Sequence, residues 1–84
     1  MYGVLKEVKT EYKYIEFWEH ESTGKTSKWH CHNKKSGALL GKVQWYSGWR
    51  QYCYFSIIEA VYSNGCLNDI ADFIEQLNNG RGRK

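Results

Sequence analysis

The segment Trp29-His30-Cys31-His32 is the first place where this chain could do chemistry. Two imidazoles at i and i+2 can chelate zinc, but a tetrahedral site needs two more ligands, which only His20, Cys53 or a carboxylate could supply. On a regular strand, alternation sends Cys31 to the face opposite His30 and His32. We therefore read two surface histidines and one buried thiol, and no metal. A Cys/His pair could begin acyl transfer, and Cys66, near a helix start, is the best placed thiol for a lowered pKa. Cys53 and Cys66 nevertheless read as core residues without an orienting third group, and buried thiols are inert. Glu19 with Glu21, and Asp69 with Asp72, are too exposed to shift one another's pKa usefully. Gly24-Lys25-Thr26 lacks the first glycine and the strand-to-helix turn of a phosphate loop. The chain reads as non-catalytic, with no cofactor.

The richest segment is Trp45-Tyr46-Ser47-Gly48-Trp49-Arg50-Gln51-Tyr52-Cys53-Tyr54-Phe55, six aromatic residues around one arginine. What it can do depends on which side chains are buried, hence on the elements that hold them. Breaks fall at 22–25, 33–37, 47–48 and 63–65, all rich in Gly, Ser, Asn or Lys, and proline is absent. Residues 11–20, 27–33, 38–46 and 49–58 between them are rich in β-branched and aromatic residues, and their short links predict an antiparallel meander. Leu67, Ile70, Ala71, Ile74 and Leu77 then repeat at helical spacing. Asn64 or Ser63 would cap this helix, Asp69 would meet its dipole, and Gly80 would end it.

The predicted fold class is thus α+β: a four-stranded antiparallel sheet packed on one C-terminal amphipathic helix. Residues 1–10 form an N-terminal arm or extra strand, 11–79 the single domain, and 80–84 a basic disordered tail. One helix covers one face of such a sheet, leaving the other for solvent or a partner.

Alternation sorts the strands. Leu39, Gly41, Val43 and Trp45 face inward in the third, Gln51, Cys53, Phe55 and Ile57 in the fourth, and Trp29 and Cys31 in the second. The outward set is Lys28, His30, His32, Lys42, Gln44, Tyr46, Arg50, Tyr52 and Tyr54, with Tyr14 and Trp18 as possible additions, because the first strand could present either face. Such a face suits stacking of bases with Arg or Lys on phosphate. It equally suits a protein interface, for which Tyr, Trp and Arg are typical, or a solvated sheet surface.

Composition restricts the setting. Eighty-four residues allow one domain, and an aromatic share of 17% makes its core aromatic rather than aliphatic. The net charge of +3 lies largely in the last four residues, so it permits nucleic-acid partners without demanding them. Three cysteines without a CxxC pair, no signal-peptide pattern and no apolar run of about 20 residues lead us to expect a soluble cytoplasmic protein without a membrane anchor.

Trp45-Tyr46, Trp49-Arg50-Gln51-Tyr52, Phe55 and the run from Cys66-Leu67-Asn68-Asp69-Ile70-Ala71 to Asn78 resemble a family of small, functionally uncharacterised bacteriophage and prophage proteins. Trp29, Ser36-Gly37 and Leu40-Gly41-Lys42 match the same pattern, so the resemblance spans residues 29–78. Members often carry a proline after the Phe55 position, which this chain lacks, so the loop before its helix is expected to be built differently. The resemblance implies a phage-type accessory binder without catalytic residues. On that reading the partner is a nucleotide or nucleic acid held on the aromatic and basic sheet face, as in a counter-defence nucleotide sponge. The alternative is an inhibitor of a host defence protein, or a homo-oligomeric assembly module, using the same face.

Overall fold

The computed structural model describes residues 8–22, 24–57 and 59–82, with side chains through residue 80. It contains β1 (Ile15–Ser22), β2 (Ser27–Asn33), β3 (Leu39–Tyr46), β4 (Gln51–Ser56) and α1 (Asn64–Gly82). The strands form one antiparallel sheet in the order β1-β2-β3-β4. This is the expected α+β meander closed by a helix.

The boundaries move for local reasons. The Tyr12 N–H donates to the Ile15 carbonyl (2.9 Å), a tight reversal that delays β1 to Ile15. Residues 10 and 11 then fold back on the outer edge of β1: Phe17 N–H donates to Thr10 O (2.8 Å) and Glu11 bridges Glu16. That contact covers backbone groups which an open edge strand would leave unpaired. Residues 1–7 of the expected arm lie outside the described residues, as do residues 83 and 84 of the tail. Trp49 and Arg50, assigned to the fourth strand from sequence, belong to the turn before it, and Ile58 lies outside the described residues.

Ser63 caps the helix, its Oγ accepting from the Cys66 N–H three residues on (3.1 Å). No acidic residue stands in the first turn, so Asp69 lies deeper than the dipole argument wanted. The helix runs through Gly80 to Gly82. Its buried face is Ile70, Phe73 and Leu77, flanked by Cys66 and Ile74, while Leu67 and Ala71 of the expected stripe are exposed. The stripe turns so that Phe73, the largest apolar side chain of the helix, is completely buried. Its ring stacks on Phe17 (4.0 Å, 7°) and meets Trp29 edge-on (5.1 Å). Burying an aromatic ring removes more apolar area from water than burying Leu67 and Ala71 at the margin would.

Polar groups tie the N-terminal segment to the helix. The Gln76 amide accepts from Lys9 N–H (2.8 Å) and donates to Lys9 O (2.9 Å), and Tyr12 Oη donates to the Asp72 carboxylate (2.8 Å). The core therefore lies between the helix and one sheet face: Tyr12, Ile15, Phe17, Cys31, Val43, Tyr52, Ile70, Phe73 and Leu77.

Candidate nucleic-acid interface

The turn between β3 and β4 decides which aromatic side chains are available. Four residues, 47–50, connect Tyr46 to Gln51, and these two are direct partners across the hairpin. Direct antiparallel partners share a face. Since Tyr46 points away from the helix, so do Gln51, Cys53 and Phe55, and Tyr52 and Tyr54 point towards it.

This corrects the assignment of the fourth strand, where Tyr52 and Tyr54 were expected outside and Gln51, Cys53 and Phe55 inside. Tyr52 is 5% exposed; its Oη accepts from the Ser27 N–H (3.1 Å) and its ring meets Trp45 edge-on (5.6 Å). Tyr54 packs over Gly41, where a Cβ would come within 2.6 Å of Tyr54 Oη. Its hydroxyl pairs with that of Tyr62 (2.7 Å), which donates to the Leu40 carbonyl (2.8 Å). Burial, then the bond to Tyr62, raises the Tyr54 pKa well above the ordinary phenol value. With their hydroxyls satisfied inside the protein, these two tyrosines cost little to bury and have no role on the open face.

Leu39, also expected inside, changes face. A bulge pairs His32 with Leu39 and Cys31 with Gly41, leaving Leu40 as the extra residue. Leu39 is consequently exposed, and Leu40 packs against the core. Ile57, also expected inside, is exposed beyond the end of β4.

Lys28, His30, His32, Lys42, Gln44 and Tyr46 are where the sequence put them, whereas Arg50 lies in the turn and not on the outward row of the fourth strand. Trp18, His30, Lys42 and Phe55 are successive partners across all four strands. Trp18 is 57% exposed and tilts over His32 (4.6 Å); His20 stacks on His30 (4.3 Å, 17°). The first strand's ambiguity thus resolves with Ile15 and Phe17 inside and Trp18 and His20 outside. Lys28 is drawn to Glu21 (3.7 Å), and Gln44 lies opposite Cys53. Partial burial, then His20, His32 and Lys42, hold the His30 imidazole below its ordinary pKa. At neutral pH it is a neutral ring suited to stacking.

At the β3–β4 end, Tyr46 is 42% and Trp49 69% exposed, with their rings edge-to-face (5.4 Å). Phe55, which the sequence reading assigned to the core, joins this group against Tyr46 (6.2 Å). Arg50 sits in the left-handed region (φ 56°). The five-residue connection between β2 and β3, residues 34–38, also holds one residue in this region, Gly37 (φ 79°). Where one turn uses glycine, the other holds an arginine, at a backbone cost of roughly 1–2 kcal/mol.

Cys31 is buried, and burial pushes its thiol pKa up to about 11, which suppresses the thiolate. Among the described residues, no three His, Cys, Asp or Glu side chains are grouped to hold a metal ion. No described helix is long and apolar enough to cross a membrane.

No family model matches the sequence, and no solved structure matches it. The chain is similar to an uncharacterized 9.3 kDa protein of Acholeplasma phage L2, 36% identical over 45 residues that make up 54% of this chain and 58% of the phage protein. The chain thus spans less than two thirds of that relative, and the likeness is to a small phage-encoded protein of uncharacterised role.

Proposed function

We propose that the protein is a non-catalytic accessory binder of phage type, acting in the host cytoplasm, that holds a nucleotide or single-stranded nucleic acid on the sheet face away from its helix. The observation that carries the reading is the grouping on that face of exposed Trp18, Tyr46 and Trp49, with Phe55 beside Tyr46 and Lys42 among them, next to the turn that holds exposed Arg50. Base stacking on such rings is worth about 1–3 kcal/mol per base, and it tolerates any base because every base has a π-face. Tyr46, Arg50, Lys42, Gln44, Lys28, His30 and His32 remain binding residues in this reading; Trp18, Trp49 and Phe55 take the stacking roles first given to Tyr52 and Tyr54. Likeness to a small uncharacterised phage protein supports an accessory role of phage type, and nucleotide sequestration is the form of it that the aromatic and basic face suggests.

Arg50 supplies the test, because stability and binding should move in opposite directions there. Arg50→Gly relieves the left-handed strain and should raise the unfolding free energy by about 1 kcal/mol. The same change removes a charge-assisted phosphate contact and should weaken binding about tenfold or more. Binding is read by quenching of tryptophan emission on titration with a cyclic dinucleotide and with a single-stranded oligonucleotide, at low and high salt. Quenching that fades as salt rises supports the proposal. Absence of quenching with either probe, or salt-independent binding to a protein partner instead, sinks it in favour of a defence-protein inhibitor.

A further inference from the structure

The opposite end of the open face carries a second cluster of cations around an aromatic ring. The Lys34 N–H donates to the Tyr14 carbonyl (2.9 Å), continuing the register in which Glu16 faces His32 and Trp18 faces His30. Tyr14 therefore extends the outward row of β1. Lys13, Tyr14, Asn33, Lys34 and Lys35 line a shallow depression of about 340 Å³ there. Lys34 is already engaged, its ammonium bound to Glu11 (2.8 Å) and to the Tyr12 carbonyl (3.1 Å). Lys13 and Lys35 have no carboxylate partner among the described residues, and Lys13 lies 5.2 Å from the centroid of the 54% exposed Tyr14 ring. Two exposed lysines beside an exposed ring offer a phosphate and a base what they need together.

This depression and the Trp49–Arg50 turn stand at opposite ends of the meander, separated by the length of β3. Its eight residues span about 26 Å at roughly 3.3 Å per residue. We infer that the ligand of the open face is a single strand of about eight or more nucleotides, running from the Ser47–Arg50 turn past Trp18 to a terminal phosphate and base site formed by Lys13, Lys35 and Tyr14. A stacked strand rises about 3.4 Å per nucleotide, so a lone nucleotide could occupy one end but not both. Glu16, which repels phosphate, stands between Tyr14 and Trp18, so the strand passes it with base edges, whose amino groups a carboxylate can accept. The inference rests on the proposed nucleic-acid reading of the face and adds the ligand's length and polarity of contacts.

The experiment compares oligodeoxycytidylates of about 4 and about 10 nucleotides, a range typical of single-strand sites, by fluorescence anisotropy against wild type and Lys13→Ala/Lys35→Ala. Both lysines are exposed and outside the core, and a melting curve checks that the variant is folded. The longer strand should bind at least tenfold more tightly to wild type. The double variant should lose most of that gain, bind the short strand within about twofold of wild type, and show a salt slope smaller by about 1.4, at roughly 0.7 per phosphate contact. If the double variant binds the long strand as wild type does, or if both lengths bind alike, the second site is refuted while the face reading stands. If neither strand binds, the face reading falls and the inference falls with it.

Discussion

Gly41 shows how one residue can set the orientation of a strand. Its absent side chain leaves space that Tyr54 fills diagonally across the β3–β4 pair, and a Cβ would also stand 2.6 Å from the Phe55 carbonyl. A methyl group there meets a backbone oxygen that the sheet ladder fixes, so it cannot be relieved by a rotamer change. Gly41→Ala should therefore destabilise the protein by about 1–3 kcal/mol, lowering the melting temperature by roughly 4–8 °C per kcal/mol for a domain of this size. An unchanged denaturation midpoint would mean that Tyr54 is not held over Gly41. Arg50 is the opposite case, a side chain kept where the backbone would favour glycine, and strain of this kind is concentrated at functional sites.

At the scale of the element, the helix is defined by the face it buries rather than by its apolar content. Leu67, Ala71, Phe73 and Ile74 all could have lined a stripe, but only Phe73 reaches the centre of the sheet between Phe17 and Trp29. Phe73→Ala should cost about 3–5 kcal/mol, a large part of the stability available to a small domain. Leu67→Ala, at a half-exposed position, should change stability by no more than about 0.5 kcal/mol. Urea midpoints for the two variants decide the rotation of the helix, since comparable losses would restore the stripe expected from periodicity. Periodicity gave the helix and its approximate start, because a 3.6-residue repeat after Gly65 has no strand interpretation. The exact angle of the stripe was not legible, because the sequence contains more apolar positions than one narrow contact can cover.

For the whole molecule, the helix shields one sheet face and leaves three neighbouring imidazoles on the other, His20 stacked on His30 and His32 tilted beside it, so charge on that face couples stability to pH. Partial burial, then His20, His32 and Lys42, lowers the His30 pKa. The unfolded chain therefore binds this proton more readily than the folded one, and the associated stability is present above the ordinary histidine value near 6.5 and is lost as pH falls through it. The denaturation midpoint should fall between about pH 7.5 and pH 5.5, above the range where carboxylates titrate, and His30→Gln should flatten the drop. A profile identical in wild type and His30→Gln would show that these imidazoles do not respond to protonation. The sequence by itself determined the meander and its helix, since strand and helix periods and the short links between them are local properties. It also placed Lys28, His30, His32, Lys42, Gln44 and Tyr46 outside, because regular alternation holds on those stretches. Only the tertiary structure decided the rest. Residue polarity favoured an outward Tyr52 and Tyr54, but pairing across the four-residue turn forced them inward, where Ser27, Tyr62 and Gly41 accommodate hydroxyls and rings that polarity alone would leave in water.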